Sequence, residues 1–148
     1  MSLYLDTSVL VSCYLPEPQS EAVLKLLEQH SSELLVSQLA EVEFCSALAM
    51  RRRASKLTEQ QEASISQLFQ KHLQNGQYTK TYLTEETYQL AKQLLMSTSL
   101  KLRTLDALHL ALSQQLEAEL FTADIELANA AAYIKLPYHC PIVKKNKK

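Results

Sequence analysis

Glycine is almost missing from this sequence: Gly76 is the only one in 148 residues. A P-loop and a GxGxxG turn both need several glycines, because side chains would keep consecutive backbone N–H groups away from a phosphate. Both nucleotide-binding devices are therefore excluded. The three cysteines, Cys13, Cys45 and Cys140, are odd in number, widely separated and in no CxxC pair. Neither a disulfide framework nor a zinc site is indicated, which fits a reducing cytoplasm. Long apolar runs are also lacking. The uncharged stretch from Thr7 to Pro16 is too short to span a bilayer and has neither the basic flank nor the cleavage site of a secretory signal, so a soluble, unprocessed protein outside the membrane is expected. An excess of positive charge is the last absence. The formal net charge of −1 does not announce a nucleic-acid binder.

The positive charge that is present is clustered. Arg51, Arg52, Arg53 and Lys56 form one block, Lys101 and Arg103 a second, and Lys144, Lys145, Lys147 and Lys148 a tail. Each block alone reads as a solvated face or a chain end. With 47% apolar and 21% charged residues the chain has the make-up of one globular domain, expected over residues 1–140, with 141–148 a basic, disordered tail.

Leu3, Tyr4 and Leu5 make a short strand that ends at Asp6, where Thr7 and Ser8 suit a helix start. Pro16 and Pro18 mark a turn. A helix follows from about Ser20 to His30 with Val23, Leu24, Leu26 and Leu27 as its stripe, then a strand over Leu34–Ser37 and a helix from Gln38 to Ala54. Thr58 and Gln61 have capping-box spacing ahead of a helix with Ile65, Leu68, Phe69 and Leu73 on one face, which Asn75 and Gly76 end. Tyr78 to Leu83 is β-rich. Thr84 then caps a helix packed through Ala91, Leu94 and Leu95, and Thr104 starts another. Leu120–Ala123 is a fourth strand ending at Asp124, a helix covers Ile125–Tyr133, and Leu136–His139 is a short last strand. Strands alternating with helices imply an α/β fold with a mostly parallel sheet.

Asp6 and Asp124 each follow a strand, at the carboxyl edge where open α/β sheets build their sites. The plain alternative for each is a helix N-cap. Glu43 has Leu39, Ala40, Ala47 and Met50 at helical neighbour positions, so its carboxylate emerges among apolar side chains and needs a partner. Glu41, beside Phe44, Cys45 and Leu48, is an equal rival on periodicity. Asp106 falls in the first turn of a helix that is apolar nearly all round, which turns it toward the interior or a cleft, although the helix dipole alone would favour a carboxylate there. His109, one turn on, reads more readily as a core histidine than as a catalytic one.

Leu5-Asp6-Thr7-Ser8, Val36-Ser37-Gln38-Leu39 running into Val42-Glu43-Phe44 and Ala47-Leu48, Leu105-Asp106-Ala107-Leu108-His109-Leu110-Ala111, and Phe121-Thr122-Ala123-Asp124 together resemble the PIN-domain family, and more narrowly its VapC-type toxins. The resemblance runs from Leu3 to about Ala132. It implies a three-layer sandwich around a five-stranded parallel sheet with the first strand central. It also favours Glu43 over Glu41, because the family's glutamate stands six residues beyond the strand-end serine, here Ser37. Thr7, Ser8 and Thr122 fall where the family places supporting hydroxyls. After Asp124 the chain reads Ile125-Glu126-Leu127, where a basic residue is common.

The activity so implied is an Mg²⁺- or Mn²⁺-dependent endoribonuclease, with Asp6, Asp106, Asp124 and Glu43 as ligands and catalytic carboxylates. Hard ions take oxygen ligands and keep several waters, so a few convergent carboxylates suffice for phosphodiester hydrolysis without His or Cys. Arg51, Arg52, Arg53 and Arg103 would grip RNA phosphates. The resemblance further implies a homodimer and a small antitoxin whose segment enters the acidic cleft. The competing readings are a receiver-like phosphoryl-transfer protein, a non-catalytic RNA-binding module on the same fold, and a DNA nuclease.

Overall fold

The computed structural model describes residues 1–30, 32–97 and 99–141. The lysine tail assigned to 141–148 lies, beyond residue 141, outside the described residues. The elements run β1 (Leu3–Leu5), α1 (Thr7–Tyr14), α2 (Ser20–Gln29), β2 (Leu34–Ser37), α3 (Gln38–Arg53), α4 (Glu59–Gln74), β3 (Thr79–Thr81), α5 (Glu85–Ser97), α6 (Thr104–Gln115), β4 (Glu119–Phe121), α7 (Ile125–Tyr133) and β5 (Tyr138–His139).

All five strands pair in parallel in the order β3-β2-β1-β4-β5. β1 is central, with Leu3 opposite both Leu34 and Glu119. A central parallel strand is covered on both faces, which is why Leu3, Tyr4 and Leu5 are apolar or aromatic without alternation and are fully buried. Leu3, Leu5, Val36 and Phe121 point into the core with Val9, Val23, Phe44 and Phe69, on the face covered by α1 to α4. Tyr4, Leu35 and Leu120 point the other way, against Leu110, Leu112, Leu127 and Ala131 of α6 and α7.

Local signals hold at most boundaries. The Ser37 hydroxyl accepts the Ala40 N–H at 3.0 Å and caps α3. Thr58 and Gln61 form the capping box, and Gly76 takes φ +84° just after the last turn of α4, the left-handed geometry that favours glycine there. Three strands are shorter than the sequence suggests. β3 covers Thr79–Thr81 rather than Tyr78–Leu83, because the Leu83 N–H turns to the Gln38 side chain (2.7 Å) and the Tyr78 ring belongs to the core. β4 ends at Phe121, so Thr122 and Ala123 form a link ahead of Asp124, and β5 is confined to two residues. Leu24 and Leu68 are 45% and 46% exposed, so the stripes expected on α2 and α4 are only partly covered.

Candidate active site

β1 and β4 are neighbours, so the segments leaving their carboxyl ends deliver Asp6 and Asp124 to one edge of the sheet. Both do cap helices. Asp6 Oδ1 accepts from the Val9 N–H (3.1 Å) and the Ser8 hydroxyl (2.7 Å), while Asp124 Oδ1 accepts from the Glu126 N–H at 2.9 Å. The two aspartates are tied through Thr122, whose hydroxyl donates to Asp6 Oδ2 at 2.5 Å and accepts from the Asp124 N–H at 3.0 Å. Asp6 is almost fully buried, yet each carboxylate oxygen can take two bonds, so Oδ2 retains an open lone pair. Thr7, Ser8 and Thr122 all bond to the acidic residues they were expected to support.

Periodicity left Glu41 and Glu43 level, and their partners separate them. Glu41 faces β3 and pairs with Lys80 at 2.8 Å. Glu43 turns toward the sheet edge, where its Oε1 accepts from the Thr7 hydroxyl (2.6 Å) and meets His109 Nε2 at 2.7 Å. Behind His109 a buried chain of bonds runs inward: Nδ1 meets the Tyr4 hydroxyl at 2.6 Å, Tyr4 meets the Ser37 hydroxyl at 2.9 Å, and Ser37 accepts the Ala40 N–H. An ionised carboxylate only accepts, so Nε2 carries a hydrogen. With the ring neutral, Tyr4 donates to Nδ1, Ser37 donates to Tyr4, and every polar group in the chain is satisfied; the tautomer is assigned by this pattern.

His109 is the core histidine the sequence suggests, 3% exposed and bonded through both ring nitrogens, but the Tyr4 hydroxyl behind it was not anticipated. A phenol on the central strand between two leucines was the available signal, since a buried tyrosine hydroxyl nearly always has a partner.

Asp106, 14% exposed at its side chain, pairs with Arg103 at 3.2 Å, and the same guanidinium reaches Asp124 at 3.8 Å. Arg103 therefore places a positive charge among the acidic groups. Arg51 and Arg52, expected to face RNA, are held by Glu17 and Glu62, each at 2.7 Å. Arg53 is exposed and has no ion-pair partner among the described residues.

Burial pushes the Asp6 carboxyl above its usual range, and the bonds from Ser8, Thr122 and Val9, with His109 when charged, oppose this only in part. Glu43 goes the other way. Burial would raise it, but the bonds from His109 and Thr7, with the charges of His109 when protonated and of Arg103, hold it below the ordinary carboxylate range. The donor set at this edge is oxygen-rich, as hard divalent ions require. Among the described residues no three of the four carboxylates bring oxygens within 4.8 Å of one another. A cavity of about 1050 Å³ lies elsewhere, between the α1–α2 turn and the start of α4, and its one carboxylate, Glu17, is already paired with Arg51.

A five-stranded parallel sheet with its first strand central, and with acidic side chains at its carboxyl edge, defines a class of small α/β proteins. The chain belongs to the PIN-domain family, whose model matches residues 3–133. The fold is similar to that of VapC20 from Mycobacterium tuberculosis, described as a sarcin-ricin loop cleaving toxin (TM-score 0.68, 12% identity, covering 87% of this chain and 95% of that one). It is also similar to VapBC2 from Rickettsia felis bound to a promoter DNA fragment (0.68, 17%, 95% and 98%). FitAcB from Neisseria gonorrhoeae is a third such structure (0.67, 17%, 94% and 97%). No curated protein sequence matches the chain.

Proposed function

We propose that this PIN-domain protein is an endoribonuclease that depends on Mg²⁺ or Mn²⁺ and acts as the toxin of a type II toxin–antitoxin pair. The observation that carries the reading is the acidic edge itself. Asp6 and Asp124 are joined through Thr122, Asp106 and Asp124 share Arg103, and Glu43 is fixed by the Thr7 hydroxyl next to Asp6.

Asp6 and Asp106 would hold the ion, with Asp124 as a ligand directly or through water. Bound there, a divalent cation lowers the pKa of water and neutralises charge on phosphoryl oxygens. Glu43, kept ionised by His109 and Thr7, orients the attacking water and takes its proton. The Tyr4–Ser37 chain fixes the His109 ring, so Glu43 is held by a donor that cannot swing away. Arg103 and Arg53 would meet RNA phosphates, whereas Arg51 and Arg52 would first have to leave their glutamates. Cleavage leaves a 5′-phosphate and a 3′-hydroxyl without a covalent enzyme intermediate.

The similar structures include toxin–antitoxin complexes, which supports a small antitoxin as partner, and we extend this to a homodimer working in the cytoplasm. No described helix is long and apolar enough to cross a membrane. The test is cleavage of RNA by the purified chain. Activity that needs Mg²⁺ or Mn²⁺, disappears in chelator and yields 5′-phosphorylated ends supports the proposal. RNA that binds but stays intact in either metal would make the chain a binding module.

A further inference from the structure

Away from the acidic edge, three potential metal ligands from distant parts of the sequence meet beside β5. His30 is the C-cap just after α2, Glu119 begins β4 and His139 lies on β5. One donor atom from each stands within 4.8 Å of the other two. We propose that His30, Glu119 and His139 form a transition-metal site, of the kind that takes Zn²⁺, and that the ion pins the edge strand β5 to β4 and α2.

Three features support the site. First, His30 Nδ1 lies 3.1 Å from the Leu26 carbonyl. A carbonyl only accepts, so Nδ1 carries the hydrogen and Nε2 presents its lone pair, which is how ligating histidines are usually oriented. Second, the rings of His30 and His139 already touch edge to face with centroids 5.0 Å apart, and His139 Nε2 lies 2.6 Å from Glu119 Oε1; the hydrogen held between those two atoms leaves to solvent or to Nδ1 when an ion takes its place. Tetrahedral nitrogen and oxygen donors about 2.0–2.1 Å from zinc stand roughly 3.3 Å apart. The close His139–Glu119 pair must open slightly and the longer separations close by at most about 1.5 Å, within reach of side-chain rotation. Third, Glu119 and His139 are each about one-third exposed, so an ion can enter and keep a water as fourth ligand.

The site also meets a structural need. β5 has two residues, paired in parallel with Leu120 and Phe121 of β4, and the bonds from Leu120 N–H to Pro137 C=O (2.9 Å) and from Thr122 N–H to His139 C=O (3.0 Å) flank this short ladder. So short an edge strand gains from a crosslink. The expectation that no zinc site is present rested on cysteine spacing, and this site uses no cysteine. Imidazole donors also separate it from the acidic edge, because they suit Zn²⁺ far better than Mg²⁺.

Calorimetric titration of the full chain with Zn²⁺, in excess Mg²⁺ to occupy the acidic edge, should show one tight site per chain. His30→Gln and His139→Gln should each weaken it at least about a hundredfold, whereas His72→Gln, which lies beside Tyr14, should leave it unchanged. Zinc should raise the melting temperature of wild type and of Asp6→Asn alike but not of His30→Gln, which separates this site from the proposed catalytic one. Melts without zinc establish that the variants fold, and Glu119→Gln provides a third substitution. Zinc binding that persists in both histidine variants, or that is no tighter than Mg²⁺ binding in wild type, would overturn the proposal.

Discussion

Glu43 and His109 stand 66 residues apart in the sequence and 2.7 Å apart at the edge of the sheet. The bond joins α3 to α6 across the carboxyl end of β1, and it decides which of two neighbouring glutamates is held ionised at the acidic edge. Glu41, two residues earlier on the same helix, is instead drawn to Lys80.

Substitution of the two glutamates should therefore separate them. Glu43→Gln is expected to lower the rate of metal-dependent RNA cleavage by about a hundredfold or more, the usual weight of a positioned acid–base group. Glu41→Gln loses an ion pair to Lys80 that lies away from the acidic edge and should change the rate by no more than about twofold. Equal losses in single-turnover assays, or a loss confined to Glu41→Gln, would show that the wrong carboxylate has been chosen.

The pH profile carries a second prediction. Glu43 acts while ionised, and the Thr7 hydroxyl helps to keep its pKa low. Thr7→Val removes that bond with little change of volume, so the Glu43 pKa rises and the acidic limb of the rate profile moves to higher pH. An unmoved limb would mean that Glu43 is not the group titrating in the profile.

Asp6 gives a test of metal against capping. Its folded pKa lies above its ordinary value, so in the window between them the native state holds more protons than the unfolded state, and stability falls as pH rises. Asn caps a helix as well as Asp and does not titrate. In chelator, Asp6→Asn should thus be as stable as wild type or more so near neutral pH, with any advantage shrinking as acid protonates Asp6. In Mg²⁺ at a hundredfold over its dissociation constant, wild type alone should gain about 2.7 kcal/mol. Equal gains from metal in the two proteins would reduce Asp6 to a cap.

Arg103 occupies the acidic edge as a cation, which predicts opposite effects on metal and RNA. Arg103→Gln should tighten Mg²⁺ binding in the absence of RNA, since a competing charge is gone. It should also weaken RNA binding and lower the slope of log affinity against log salt by about 0.7, as expected for one phosphate contact on a single strand. Neutralising Arg51, Arg52 and Arg53 together should weaken RNA binding as well, with Arg53→Gln accounting for more of the loss than either paired neighbour. RNA affinity unchanged at low salt in all of these variants would make the arginines structural.

The sequence by itself determined the order of strands and helices, because the continuous apolar run at Leu3–Leu5, the Ser37 cap and the Thr58–Gln61 box are patterns legible over a few consecutive residues. It also placed Asp6 and Asp124 at helix starts following strands, and the parallel pairing of β1 with β4 made them neighbours. Tertiary structure decided what local pattern leaves open. A helical period puts Glu41 and Glu43 on equal terms; the resemblance favoured Glu43 by its spacing from Ser37, and Lys80 on β3 and His109 on α6 give the two glutamates their different partners. The charge block at Arg51–Arg53 looked uniform until Glu17 and Glu62 were brought beside two of its members. Tyr4, His109 and Ser37 lie on three elements, as do His30, Glu119 and His139. Hydrogen bonds and metal ligation act over about 3 Å and are blind to sequence distance, so such clusters come into being only when the chain has folded.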